Sequence, residues 1–174
     1  ISQVGGHIIS MNSDRNVEVE AVTQEEANEI GKKFLTQRGI PNMQETYFLK
    51  QDGIVTINYA YNQYGVIMYP DLIKVKVALD NGEILGMETT GYLNSHYERD
   101  IDEVKISVEK AKESLNKELE LQSERLTIIP TKYSTELLCW EFKAKVEDAE
   151  YLIYINANTG KEEDILVLKV MPNG

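Results

Sequence analysis

Two histidines, His7 and His96, one cysteine, Cys139, and a run of tyrosines are the side chains here best suited to chemistry. His96-Tyr97-Glu98 offers two metal ligands side by side, but a stable site needs three or four converging groups, and the other histidine lies near the start of the chain. No H-E-x-x-H, Cys-x-x-Cys, Gly-x-Ser-x-Gly or P-loop pattern occurs. His96 therefore reads as a histidine of a polar connector, and neither a metal nor a cofactor is expected. Asn156-Ala157-Asn158-Thr159-Gly160 has the oxygen-rich look of a calcium loop. It lacks an acidic first ligand and its glycine comes one position early, so a turn between strands accounts for it better. Glu162-Glu163-Asp164 reads as a solvated strand start that discourages edge pairing.

Cell-wall chemistry would need two carboxyl groups about 5–10 Å apart beside a sugar groove, one with a raised pKa. With 29 acidic residues, accidental pairs are abundant, and none sits in an evident apolar pocket sequence. No catalytic residues are assigned. Cys139 lies beside Trp140 in an apolar strand without a basic neighbour, which predicts a buried, inert thiol. Trp140 is expected to anchor a core. Ten tyrosines against three phenylalanines favour rings that meet water at one end. Tyr59, Tyr61, Tyr64 and Tyr69 cluster, and Tyr59 and Tyr61 share a strand face. They either cover a sheet or form a recognition surface for protein or glycan. Gly65 and Pro70-Asp71 suggest a projecting loop there. With Tyr92 and His96, these four tyrosines are the candidate partner-binding residues.

The elements that must hold these groups follow from periodicity. Thr23-Gln24-Glu25-Glu26 is a capping box, after which Ala27, Ile30, Phe34 and Leu35 fall on one helical face until Gly39 and Pro41 end the run. Strands follow at 46–50 and 54–61 around Asp52-Gly53, then through Ile73, Val75, Val77 and Leu79, and after Asn81-Gly82 at 83–88. The order repeats. Ser107 opens a helix with Val108, Ala111, Leu115 and Leu119 on one face. Strands are then expected at 126–131, around Trp140, Phe142, Ala144 and Val146, at 151–156, and at 165–170. Glu141 is placed on the solvated face of its strand. Residues 92–106 read as a charged connector.

A third, partial copy stands at the front. Gly6-His7-Ile8-Ile9-Ser10-Met11 matches Gly82-Glu83-Ile84-Leu85-Gly86-Met87 in its glycine, aliphatic pair and methionine. Residues 1–20 thus read as the final strand of a preceding unit, followed by units at 21–100 and 101–174. Ile8, Ile9 and Met11 are expected to dock on the next unit or on another molecule. The fold class is α+β, in tandem units of one helix on an antiparallel sheet.

The chain has 174 residues, 42% of them apolar, enough for one domain or two small ones. A formal net charge of −11, spread along the chain, argues against nucleic acid and anionic lipid as partners. No apolar run approaches the roughly 18–20 residues that span a bilayer. A chain beginning at Ile1 leaves room for a targeting or anchoring segment before it.

The Ser/Thr-x-Glu-x-Ala helix start, the strands after it, and a turn such as Asn158-Thr159-Gly160 leading into a charged strand resemble the PepSY domain family. Two copies cover nearly all of residues 21–174. Gly5-Gly6-His7, Gly91-Tyr92-Leu93 through His96 and Arg99, and Ile106-Ser107-Val108-Glu109-Lys110-Ala111 resemble the C-terminal PepSY region of spore germination proteins of Bacillus and its relatives. One departure is Lys110, which stands where the first copy has Glu26. The resemblance implies an N-terminal membrane anchor outside this sequence and a place in the spore envelope, at the outer face of the inner spore membrane. It also implies a non-catalytic role in stabilising or inhibiting the cortex-lytic enzyme SleB until germination. Alternatives are a structural spacer or homodimerisation module of the spore envelope, and a cell-wall hydrolase.

Overall fold

The computed structural model describes residues 6–133, 135–147 and 149–170. The chain divides into two compact units, residues 1–63 with 68–97 and residues 64–67 with 98–174. The architecture is α+β throughout, as the pattern of the sequence predicts.

In the first unit, helix α1 spans Gln24–Gln37. Its start is held by the expected reciprocal cap: the Thr23 hydroxyl accepts from the Glu26 N–H at 3.2 Å, and the Glu26 carboxylate accepts from the Thr23 N–H at 2.8 Å. The Thr23 N–H and the Thr23 hydroxyl, 3.0 Å away, both donate to the Glu26 carboxylate and hold it below its usual pKa. The sheet contains β1 (Ser10–Asn12), β2 (Met43–Gln51), β3 (Ile54–Gln63), β4 (Val66–Ala78) and β5 (Ile84–Glu88), in the order β2-β3-β4-β5-β1. Ala27 and Leu35 of the helix meet Val55, Ile57 and Tyr59 of β3, Ile73, Val75 and Val77 of β4, and Met87 of β5. All but Met87, at 4%, are fully buried. This is the one-helix, one-sheet core that the two periodicities require.

Two expectations need correction. The segment around Gly65 and Pro70-Asp71 is not a projecting loop. Tyr64 and Gly65, with φ of 52° and 92°, form a two-residue turn between β3 and β4. Positive φ at both positions suits the twist of a tight hairpin, so the chain re-enters the sheet at once. Pro70 and Asp71 lie inside β4, and Asp71 is fully buried. The charged connector also contains a short helix, α2, over Thr90–Ser95.

The N-terminal segment is bound to this unit. Strand β1 pairs antiparallel with β5, with Met11 opposite Met87, and Met11 packs on the core. Beyond it, Arg15 grips Asp80 with two hydrogen bonds of 2.6 and 2.9 Å and lies 2.9 Å from Glu83.

The second unit contains α3 (Val108–Lys112), β6 (Glu120–Pro130), β7 (Glu136–Val146), β8 (Ala149–Asn156) and β9 (Glu162–Val170), its strands antiparallel in the order β6-β7-β8-β9. Phe142, Ala144, Ile153 and Ile155 form its core with Ala111, and Trp140 packs against them while its indole N–H donates to the Ile106 carbonyl at 2.8 Å. Helix α3 stops well short of the expected run. Ser107 caps it through the Lys110 N–H, but Lys110 cannot return the second bond of a capping box. The Ser114 hydroxyl then bonds the Ala111 carbonyl, and Asn116 accepts from the Glu118 N–H, which draws the backbone into turns. Leu115 and Leu119 still reach the core from those turns. Glu141 is not solvated: it is 2% exposed and paired with Arg125 at 2.6 Å.

Candidate functional site

Three of the six candidate residues converge in the first unit. Tyr92 and His96 lie one helical turn apart on α2 and its C-terminal cap, where the His96 N–H donates to the Tyr92 carbonyl at 2.9 Å. Their rings stack with centroids 4.2 Å apart, and Tyr61 of β3 meets the imidazole edge-on at 4.6 Å. Beneath them, His96 Nδ1 is 2.7 Å from the carboxylate of Asp71. That carboxylate is inaccessible to solvent, whereas the His96 side chain is 30% exposed. Burial raises the pKa of the Tyr92 phenol, and the Asp71 charge and Tyr61 add to the shift. With Nδ1 held by Asp71, the ring has a fixed orientation and Nε2 is left as its second polar atom.

The other three lie elsewhere. Tyr59 is fully buried in the core, with its hydroxyl 2.9 Å from Asn28 Oδ1 and donating there, so it cannot belong to a recognition surface. Period-two alternation does place it on the same face as Tyr61, but that face points at the helix. Tyr64 is 84% exposed at the hairpin tip, and its hydroxyl donates to Glu98. Tyr69 is half-buried in β4.

Beside His96 and Tyr92 lies a cavity of about 490 Å³. Its walls come from three segments. Arg38 and Ile40 stand at the end of α1, where the Ile40 N–H donates back to the Leu35 carbonyl. Tyr92, Leu93 and His96 come from α2 and its cap. His7 and Ile8 are held there because the Thr89 hydroxyl donates to the Ile8 carbonyl and the Thr89 N–H to that of Ile9. The Arg38 guanidinium lies over the Phe34 ring, 3.6 Å from its centre. Among the described residues that line the cavity there is no carboxylate, on a chain with charge −11.

A histidine oriented by a buried aspartate can in principle move protons. Nucleophilic catalysis would also need a hydroxyl or thiol nucleophile activated at the imidazole. Cys139 is fully buried in β7, and its thiol is pushed up to about 12, chiefly by burial. Among the described residues no cluster of three potential metal ligands occurs. In the Asn156–Gly160 turn, Asn156 Oδ1 accepts from the Asn158 and Thr159 N–H groups, so the carboxamide serves the turn itself. The arrangement is suited to binding: aromatic faces, a fixed imidazole and a guanidinium around a half-open cavity.

Of the residues gathered here, the sequence singled out Tyr61, Tyr92 and His96 as candidates but gave no such role to Asp71, Arg38 or His7. The four-residue spacing of Tyr92 and His96 was the available signal. Asp71 gave none, because Pro-Asp in a sequence signals a turn far more often than a buried strand position.

Comparison with known proteins places the chain. Residues 1–102 match the family model "YpeB sporulation, PepSY1 and PepSY2 domains", and residues 105–166 match "Peptidase propeptide and YPEB domain". Sporulation protein YpeB of Halalkalibacterium halodurans is 36% identical over 165 residues, 95% of this chain and 37% of that protein. Its namesake from Bacillus subtilis is 31% identical over 171 residues, 97% of this chain and 38% of that protein. The chain thus spans little more than a third of these relatives. The solved Bacillus megaterium YpeB C-terminal domain superposes with a TM-score of 0.87 at 32% identity, covering 97% of this chain and 75% of that one. Both family descriptions are of sporulation or propeptide domains, not of a catalytic domain, and among the described residues no helix is long and apolar enough to cross a membrane. With more than half its length matched by the YpeB family model and a YpeB fold throughout, the chain belongs to the YpeB family of sporulation proteins and carries its PepSY domains.

Proposed function

We propose that this chain is a non-catalytic interaction module that binds a SleB-type cortex-lytic enzyme and stabilises or restrains it until germination, in the spore envelope outside the inner spore membrane. The observation that carries this reading is the concavity beside Tyr92 and His96. It combines stacked aromatic rings, Arg38 and a carboxylate-free lining on a strongly acidic chain. Aromatic residues and arginine dominate the energetics of protein interfaces. Kinship with propeptide domains points the same way, since a propeptide acts by contact with an enzyme and not by chemistry of its own.

The test is capture of the purified cortex-lytic enzyme by this chain, alongside release of fragments from peptidoglycan. Tyr92→Ala and Arg38→Gln are expected to weaken capture by about tenfold or more each, the size of an interface hot spot. Their unfolding midpoints should stay near that of the parent, because both side chains sit at the rim of the core. The chain alone should release nothing from peptidoglycan. Absence of capture at both low and moderate salt would dismiss direct restraint.

A further inference from the structure

Strand β9 ends the strand order of the second unit: among the described residues its one strand neighbour is β8. The β8–β9 ladder has register shifts between Glu150 and Tyr151 and between Tyr154 and Ile155. Such shifts blunt a sheet edge. Between them runs a regular stretch in which Tyr151, Leu152, Ile153 and Tyr154 face Val167, Leu166, Ile165 and Asp164. Leu152 and Ile153 are 1% and 4% exposed, yet Leu166 and Ile165 opposite them are 43% and 44% exposed, and Val167 beside them is 58% exposed. Alternation puts Ile165 and Val167 on one face and Leu166 on the other, so aliphatic surface is open on both sides of the outermost strand. Proteins normally put charges there, and the charges of β9 stand at its two ends, Glu162, Glu163 and Asp164 at the start and Lys169 near the close, with none over residues 165–168. The Asp164 carboxylate accepts from the Ile165 N–H at 2.8 Å, a bond that an incoming strand carbonyl can replace.

We propose that the outer edge of β9 is a strand-addition site for an extended segment of a partner protein that is aliphatic in its middle and basic at the end lying beside Glu162–Asp164. Added to this edge, such a segment extends the apolar stripes of both faces, and its lysines or arginines meet the acidic run. A second copy of this chain is the poorer occupant, because it brings the same charge of −11. The site rests on the partner-binding function proposed above, but it lies on a different surface from the cavity beside Tyr92.

The probe is an acetylated, amidated peptide, Thr-Val-Thr-Val-Thr-Lys-Arg, added at low salt to the 174-residue chain while amide hydrogen exchange is followed by NMR. Saturable slowing of exchange at residues 164–167 is expected. Replacing Lys-Arg by Glu-Glu should weaken the effect about tenfold, the size of two cross-strand charge pairs changing sign. A proline in place of the central valine should abolish it. Leu166→Lys should weaken it by a similar factor with the unfolding midpoint unchanged. No slowing, slowing elsewhere, equal slowing by the acidic peptide, or concentration-dependent slowing without peptide would overturn the proposal, the last in favour of a second copy. Enzyme capture separates the two surfaces. If it survives Leu166→Lys but not Tyr92→Ala, the edge site fails and the concavity stands, whereas the reverse supports the edge and removes the concavity.

Discussion

Gly31 sits in the middle of α1, where glycine costs about 1 kcal/mol relative to alanine. Its value lies across the core: a Cβ at this position would come within 2.3 Å of the Tyr59 hydroxyl. That hydroxyl is not free to swing away, because Tyr59 is fully buried and bonded to Asn28. Gly31→Ala is therefore expected to destabilise the chain by about 1–3 kcal/mol despite the better helix propensity, as overpacking does; chemical denaturation measures it, and a gain in stability would show that the ring relaxes freely. Cys139 gives a second prediction at this scale. Its thiol is pushed up to about 12 in the folded chain, against about 8.5 when unfolded. Above about pH 8.5 the unfolded state sheds this proton while the folded state keeps it, so stability is whole below that pH and declines as pH rises toward 12. The Tyr59 phenol, also raised by burial, acts in the same direction above about pH 10. Denaturation midpoints should fall between neutral pH and pH 10, the fall should shrink in Cys139→Ala, and thiol reagents should react only as the chain unfolds. Burial of Cys139 was readable from its apolar neighbours. That of Tyr59 was not, because tyrosine alternation alone does not tell which face of a strand meets the helix.

At the scale of elements, α1 was legible and α3 was not, and the cause is local. Thr23 and Glu26 close both halves of a capping box, whereas Ser107 with Lys110 closes only one. Apolar spacing at Val108, Ala111, Leu115 and Leu119 is satisfied by helix and turns alike, so periodicity overstated the helix. The four-strand order in each unit followed from turn residues and alternation, because turn chemistry is encoded next to the strands it joins. The burial of Asp71 and Glu141 depends on neighbours distant in sequence and was beyond such signals. Strand β1 allows an element to be tested directly. It is only three residues long, but Ser13 donates to the Leu85 carbonyl, Thr89 holds the Ile8 and Ile9 carbonyls, and Met11 adds apolar contact. Removing residues 1–12 exposes the free edge of β5 and strips one wall from the cavity beside Tyr92. A deletion variant is expected to unfold at lower denaturant with its mass in solution still that of one chain. An unchanged midpoint would mean that the pairing contributes nothing to stability.

Across the whole molecule, one turn geometry recurs. Gly6, Gly82 and Gly160 stand at matching places before a final strand, and all three have positive φ, at 65°, 76° and 72°. That recurrence made the repeat visible before any strand could be assigned, because left-handed backbone singles out glycine. The repeats share a fold but not their surfaces. The carboxylate-free cavity belongs to the first unit, and the open aliphatic edge with its acidic start to the second. Around both lies a field set by the net charge of −11. Such a field acts on encounter more than on the docked complex: it speeds the approach of a basic partner at low salt and fades beyond about 8 Å at physiological ionic strength. If the chain restrains its enzyme through a basic face, the association rate should fall several-fold from low to physiological salt while the dissociation rate barely moves. Neutralising the acidic run with Glu162→Gln, Glu163→Gln and Asp164→Asn together should flatten that dependence, whereas Tyr92→Ala should raise the dissociation rate and leave the salt slope alone. Stopped-flow mixing with the purified enzyme reads both rates. A salt-independent association rate would refute electrostatic steering and leave the aromatic cavity as the source of affinity.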